Sequence, residues 1–86
     1  METSTPCTIR DTLVRAAKRI QSPTNRAFAT RVIEQAALNA VHTIQDEHMD
    51  ASSYESLFRG SVGVLICDAG VDKHVVAFFV KHGITY

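Results

Sequence analysis

The side chains able to do chemistry in this 86-residue sequence are four histidines (His42, His48, His74, His82), two cysteines (Cys7, Cys67) and a scatter of carboxylates. Catalysis and metal binding need such groups at spacings that bring them together. A metal-binding helix of the HExxH type sets two histidines on one face with a glutamate between them, and structural zinc sites use closely spaced cysteines. Asp46 and Asp50 share a helical face four residues apart, yet the histidines are spread over separate segments and no HExxH-like set forms around them. Cys7 and Cys67 lie sixty positions apart without a CxxC, so neither a zinc site nor a structural disulfide is expected, and Cys67 reads as a buried thiol. Ser61-Val62-Gly63 lacks the second glycine of a nucleophile elbow, no glycine-rich phosphate loop is present, and neither cysteine has a sequence-evident histidine partner. The expectation is a protein that is not an enzyme and carries no cofactor and no metal.

The function must then lie in surfaces, and surfaces depend on the elements that present them. The longest of these runs from Ser22 to His48, a stretch with no glycine and no proline after Pro23. Ser22 suits the helix cap and Pro23 the first helical position, where its missing N–H costs nothing, so one long helix over residues 23 to 48 is predicted. At 100° per residue, Ala29, Ile33, Ala36, Ala37, Ala40 and Ile44 share one narrow face. Alanine buries little area but lets a neighbouring backbone come close and gain packing energy, so another helix should lie tightly against this face. Phe28, Val32, Leu38 and Met49 point elsewhere on the wheel, which makes them the candidates for a protein interface.

Net charge is zero, but its signs are separated along the chain. Residues 8 to 31 carry six basic side chains (Arg10, Arg15, Lys18, Arg19, Arg26, Arg31) against Asp11, a net +5. Residues 32 to 55 carry Glu34, Asp46, Glu47, Asp50 and Glu55 with no Lys or Arg, a net −5. The two segments can attract one another within a chain or between copies. A first helix is predicted from Ile9 to Ile20, capped by Thr8, with Ile9, Leu13, Ala16, Ala17 and Ile20 on its apolar face and Arg15, Lys18 and Arg19 opposite. Its apolar face should pack on the alanine stripe in a helical hairpin, because the connection at residues 21 to 24 is short. Residues 1 to 7 read as a loose tail ahead of a single helical domain over 8 to 86.

Beyond His48, Ser52 and Glu55 match the S-x-x-E capping box, which predicts a short third helix from Ser53 to Arg59, with Leu57 and Phe58 inward and Gly60 ending it. The C-terminal part has two readings. Val62 to Cys67 and Val75 to Val80 could pair as a β-hairpin, which would make the fold α+β. Helices are preferred: residues 62 to 69, a turn at Gly70, then Lys73 to His82 with Asp72 as cap and Gly83-Ile84 as a Schellman end. The fold class is therefore all-α, four or five helices built on one long central helix.

The run Ala69-Gly70-Val71-Asp72-Lys73, with Val76 and Phe79 following, resembles the turn and second helix of the helix-turn-helix motif of phage and bacterial transcription regulators. The resemblance covers residues 62 to 82. It implies Val71, Val76 and Phe79 as anchors, and Asp72, Lys73, His74, Ala77, Phe78 and Lys81 as the outward face. Nucleic-acid contacts would then come from Arg15, Lys18, Arg19, Lys73, His74 and Lys81. Ile66 departs from the pattern, standing where alanine usually lets the two helices approach, and Val75, Phe78 and Val80 make the second helix more apolar than a groove-reading surface.

A helix apolar nearly all round is normally buried. The leading expectation is accordingly a small regulatory protein that binds another protein, of unknown identity, through helical surfaces, and that forms a homodimer. The alternative is a DNA-binding regulator. No apolar run reaches the roughly 18 residues that cross a bilayer, and no basic-then-apolar leader precedes Cys7, so no membrane partner and a cytoplasmic location are expected.

Overall fold

The computed structural model describes residues 8–67 and 70–84. Its regular structure is α1 (Thr8–Ala17), α2 (Pro23–Glu47), a 3-10 turn (Ala51–Ser53), α3 (Tyr54–Ile66) and α4 (Lys73–Lys81). The all-α expectation holds. Segment 75–80 lies within α4 and segment 62–67 in α3 and its C-terminal cap, so the β-hairpin alternative is overturned. No strand occurs among the described residues. The tail over residues 1 to 7, including Cys7, lies outside the described residues.

Local chemistry explains where α2 begins and ends. The Ser22 hydroxyl accepts a hydrogen bond from the Asn25 N–H at 3.3 Å, and Pro23 takes the first helical position. The helix stops where His48 turns left-handed at φ 54°, which aims the Met49 N–H at the Ile44 carbonyl, 3.0 Å away. α4 has the predicted Schellman end: Gly83, at φ 92°, donates to the Val80 carbonyl and Ile84 to that of Phe79, both at 3.0 Å. The Arg59 guanidinium reaches this end from α3. It donates from Nη1 to the Gly83 carbonyl at 3.0 Å while Nε and Nη2 hold Glu55 one turn back.

The alanine stripe is buried as expected, but its width and principal neighbour differ. Ala29, Ile33, Ala36 and Ala40 are joined in the core by Val32, while Ala37 and Ile44 are only half-buried. α3, not α1, shares the largest interface with α2. The two run antiparallel, because Asn39 bonds to Ser61 at 2.9 Å and Leu65 lies beside Val32 and Gln35. α3 contributes Phe58, Val62 and Ile66, with the buried Gly63 among them. α1 covers the other flank with Leu13 and Ala17, and α4 adds Val75 and Phe79, closing one continuous core with Ile84.

Several sequence expectations fail for identifiable reasons. α1 ends at Ala17, and the backbone tightens into i→i+3 bonds from Arg19 to Ala16 and from Ile20 to Ala17. The Ser52/Glu55 capping box does not form. Asp50 accepts from the Ser52 N–H at 3.2 Å to cap the 3-10 turn, which runs straight into α3, and Glu55 pairs with Arg59 instead. Cys67 is exposed, not buried, because it falls on the far side of α3 from the Phe58/Val62/Ile66 stripe. The separate third and fourth helices are one helix, and Gly60 lies in its middle. A glycine there costs about 0.5–1 kcal/mol relative to alanine, less than the side chains on either side of it recover by burial. A Cβ at Gly60 would meet nothing within 4 Å. Gly60→Ala should therefore stabilise the protein by about 0.5–1 kcal/mol, read as a higher urea midpoint; an unchanged or lower midpoint would show that the open side of α3 is occupied.

Candidate interaction surfaces

The interface candidates on α2 separate once the chain folds. Val32 is a core residue at 5% exposure, and the little surface it keeps lies in the groove beside Leu65. Leu38 (54% exposed) stands on the outer side of α2 with Val41 one turn on, and Met49 is exposed just past the helix end. Phe28 is half-buried and forms part of a groove.

That groove, about 260 Å³, lies between the N-terminal half of α2 and the end of α3. Phe28, Val32, Leu65 and Val71 give it apolar walls, and Arg31 and Gln35 form its polar rim. A second hollow shares Phe28 and Val71 and continues past Thr24 and Asn25 to Asp72 at the start of α4. From the Gln35 of this rim a polar ladder continues along the α2–α3 seam: Gln35 Nε2 donates to Asn39 Oδ1 at 2.9 Å, and Asn39 Nδ2 donates to Ser61 Oγ at 2.9 Å. Sequence reasoning did not single out Leu65, and it named Val71 only as an anchor of the helix-turn-helix resemblance. Their signal was weak: one apolar residue beside the buried stripe of α3, and one following the turn glycine.

The residues of the helix-turn-helix resemblance are distributed in two ways. Ala69 lies outside the described residues. Of the implied anchors, Phe79 is buried, while Val71 and Val76 are half-buried against the core. Val75, off the anchor pattern, is buried at 1%. Asp72, Lys73, His74, Ala77 and Lys81 are exposed, but Phe78 is half-buried with its ring 4.8 Å from that of His82, and Val80 is 47% exposed. Asp72 caps α4 by accepting the His74 N–H at 2.7 Å, and His74 Nδ1 lies 3.1 Å from the same oxygen. The backbone bond from His74 holds the Asp72 carboxyl below its ordinary range, with the His74 ring and Lys73 adding to the effect. One ring nitrogen of His74 is thus turned toward its own helix cap.

Arg15, Lys18 and Arg19 are exposed around the end of α1. Arg19 is brought beside α4, where it lines a further groove of about 260 Å³ with Lys81 and His82 above a floor of Ala16, Ile20 and Phe78. Lys73 and His74, at the opposite end of α4, do not join it. The described residues include no buried polar or charged side chain and no group of three or more metal-ligating side chains. No described helix is long and apolar enough to cross a membrane. No protein-family model, no curated protein and no solved structure matches the chain.

Proposed function

We propose that this chain is a small non-enzymatic regulatory protein that acts by occupancy, holding an apolar helical edge of a partner in the groove between α2 and the α3–α4 turn. The observation that carries this reading is the groove of Phe28, Leu65 and Val71, whose apolar walls are open to solvent at the edge of the core. Its apolar walls and polar rim suit an amphipathic segment, whose large side chains lose water in the groove while its polar flank meets Arg31 and Gln35. Val71→Glu tests it, because position 71 is half-buried at the mouth and a carboxylate there faces the space a partner would fill. The variant should keep the helical circular dichroism of the parent and lose the partner that the parent retains in a pull-down. A folded variant retaining the same partner would move the binding function to another surface.

The second reading, a DNA-binding regulator, draws on α4, whose solvent face presents Lys73, His74, Ala77 and Lys81, the last of them sharing a groove with Arg19. Against it weigh the exposed Val80 and the half-buried Phe78, which give that face an apolar character. No duplex shift is expected near physiological salt. Sequence-dependent binding whose salt slope falls by about one unit in Lys81→Ala would reverse the order of the two readings.

A further inference from the structure

We infer that the groove between the ends of α1 and α4 binds a small amphiphilic carboxylate, a single anionic head on an apolar body. The groove, about 260 Å³, is lined by Ala16, Arg19, Ile20, Phe78, Lys81 and His82. Its depth divides by polarity. Ala16, Ile20, Phe78 and His82 are half-buried, whereas Arg19 and Lys81 are exposed, so the apolar side chains make a floor and the two permanent cations a rim. The His82 ring, 4.8 Å from that of Phe78, widens the floor. Ile20 is held in place through its backbone, which donates to the Ala17 carbonyl at 3.1 Å and accepts from Arg26 Nη1 at 2.9 Å.

The rim lacks an anion of the protein's own. Among the described residues the side chains of Arg19 and Lys81 make no ion pair, and the carboxylates of the neighbouring helices are engaged elsewhere. Asp11 of α1 pairs with Arg10 at 3.3 Å, Glu55 of α3 with Arg59 at 3.1 Å, and Asp72 with His74 at the opposite end of α4. A carboxylate entering the groove therefore meets the fork of Arg19 and the ammonium of Lys81 without displacing a protein partner. The floor selects what that carboxylate is attached to. An inorganic anion would satisfy the rim and leave the floor wet, and an amine of the same length would cover the floor but be repelled by the rim. Nucleic acid brings a charge with every phosphate to a rim of two cations and nothing apolar for the floor. Size sets the scale of the body: the volume lies just under the roughly 300–1,000 Å³ of sites for drug-sized ligands, and the walls run little more than one turn along each helix, residues 16 to 20 and 78 to 82. A short acyl chain fits there, whereas the Phe28–Val71 groove continues into a second hollow and has the length for a peptide. The two sites share no residue, so the two proposals fail separately.

The test is an NMR titration of the isotope-labelled full chain with octanoate, butanoate, octylammonium and inorganic phosphate, repeated on Arg19→Gln/Lys81→Gln. Both positions are exposed, so the variant should keep the parent's fold, which its own spectrum checks. Octanoate should give saturable shifts at Arg19, Ile20, Phe78 and Lys81, with half-saturation at or below about 1 mM. Losing the head-group contacts, through octylammonium or through the variant, should weaken binding at least about tenfold. Shortening the body to butanoate should do the same, because four methylene groups no longer leave water on the floor, a loss of at least about tenfold. Each of the following would overturn the proposal: no saturation, octylammonium binding as tightly as octanoate, phosphate matching octanoate in shifts and affinity, shifts centred on Phe28, Leu65 and Val71, or a folded variant that binds unchanged. So would duplex DNA, or a peptide with a free C-terminal leucine, that displaces octanoate at equal concentration, since the occupant would then be a macromolecule. The ligand series on the parent decides the matter if the variant does not fold.

Discussion

Phe79→Ala is expected to cost about 3–5 kcal/mol, the range for emptying a fully enclosed aromatic site. Phe79 is 0% exposed, its ring stands edge-on to that of Phe78 with centroids 5.0 Å apart, and its carbonyl accepts the Ile84 N–H that closes α4. An 86-residue domain has roughly 4–13 kcal/mol to lose, so this one truncation should remove a large share of the stability or abolish folding. The neighbouring Phe78→Ala is the control. Phe78 is half-buried, and its ring lies beside His82 in the lining of the α1–α4 groove, so truncation there should cost about 1–2 kcal/mol and leave a folded protein. Urea melts of both variants check the pair, and equal midpoints would mean that α4 is rotated from the position described.

Ala36→Leu should cost about 1–3 kcal/mol by overpacking, which for a domain of this size lowers the melting temperature by roughly 4–8 °C per kcal/mol. Ala36 is 0% exposed on the buried face of α2, whose principal neighbour is α3, so no room is left for a longer side chain. Three added carbons would have to push the two helices apart. Ala37→Leu adds the same volume one position along, at a half-buried site, and should change stability little. Thermal melts that ranked the two substitutions in the opposite order would place α3 on the wrong side of α2.

Both experiments concern a feature that the sequence states only in part. The alanine periodicity of α2 shows that a close neighbour exists, and four of the six residues on that face are buried. It does not say which neighbour, because α1 and α3 are both amphipathic and both of a length to fit. The interface candidates show the same limit. Phe28, Val32, Leu38 and Met49 all lie off the alanine stripe, but a helix in contact with α1 on one flank and α3 on the other buries a wider arc than one partner requires. Val32 falls inside that arc, Phe28 at its edge and Leu38 outside it.

What the sequence determined by itself is local or additive: that the chain is helical, that α2 starts at Ser22-Pro23, that Asp72 caps α4 and Gly83 ends it, and that charge is divided between two segments. Caps and turns depend on residues within one turn of each other, and net charge is a sum, so neither needs tertiary information. Only the tertiary structure decided that α3 runs unbroken through Gly60, that Cys67 faces outward, that the 3-10 turn displaces the Ser52/Glu55 capping box, and that Arg19 meets Lys81 while Val71 meets Phe28. Each of these turns on which flank of a helix another helix covers. That choice is settled by the burial of many side chains at once, which outweighs a preference of about 1 kcal/mol at any single position.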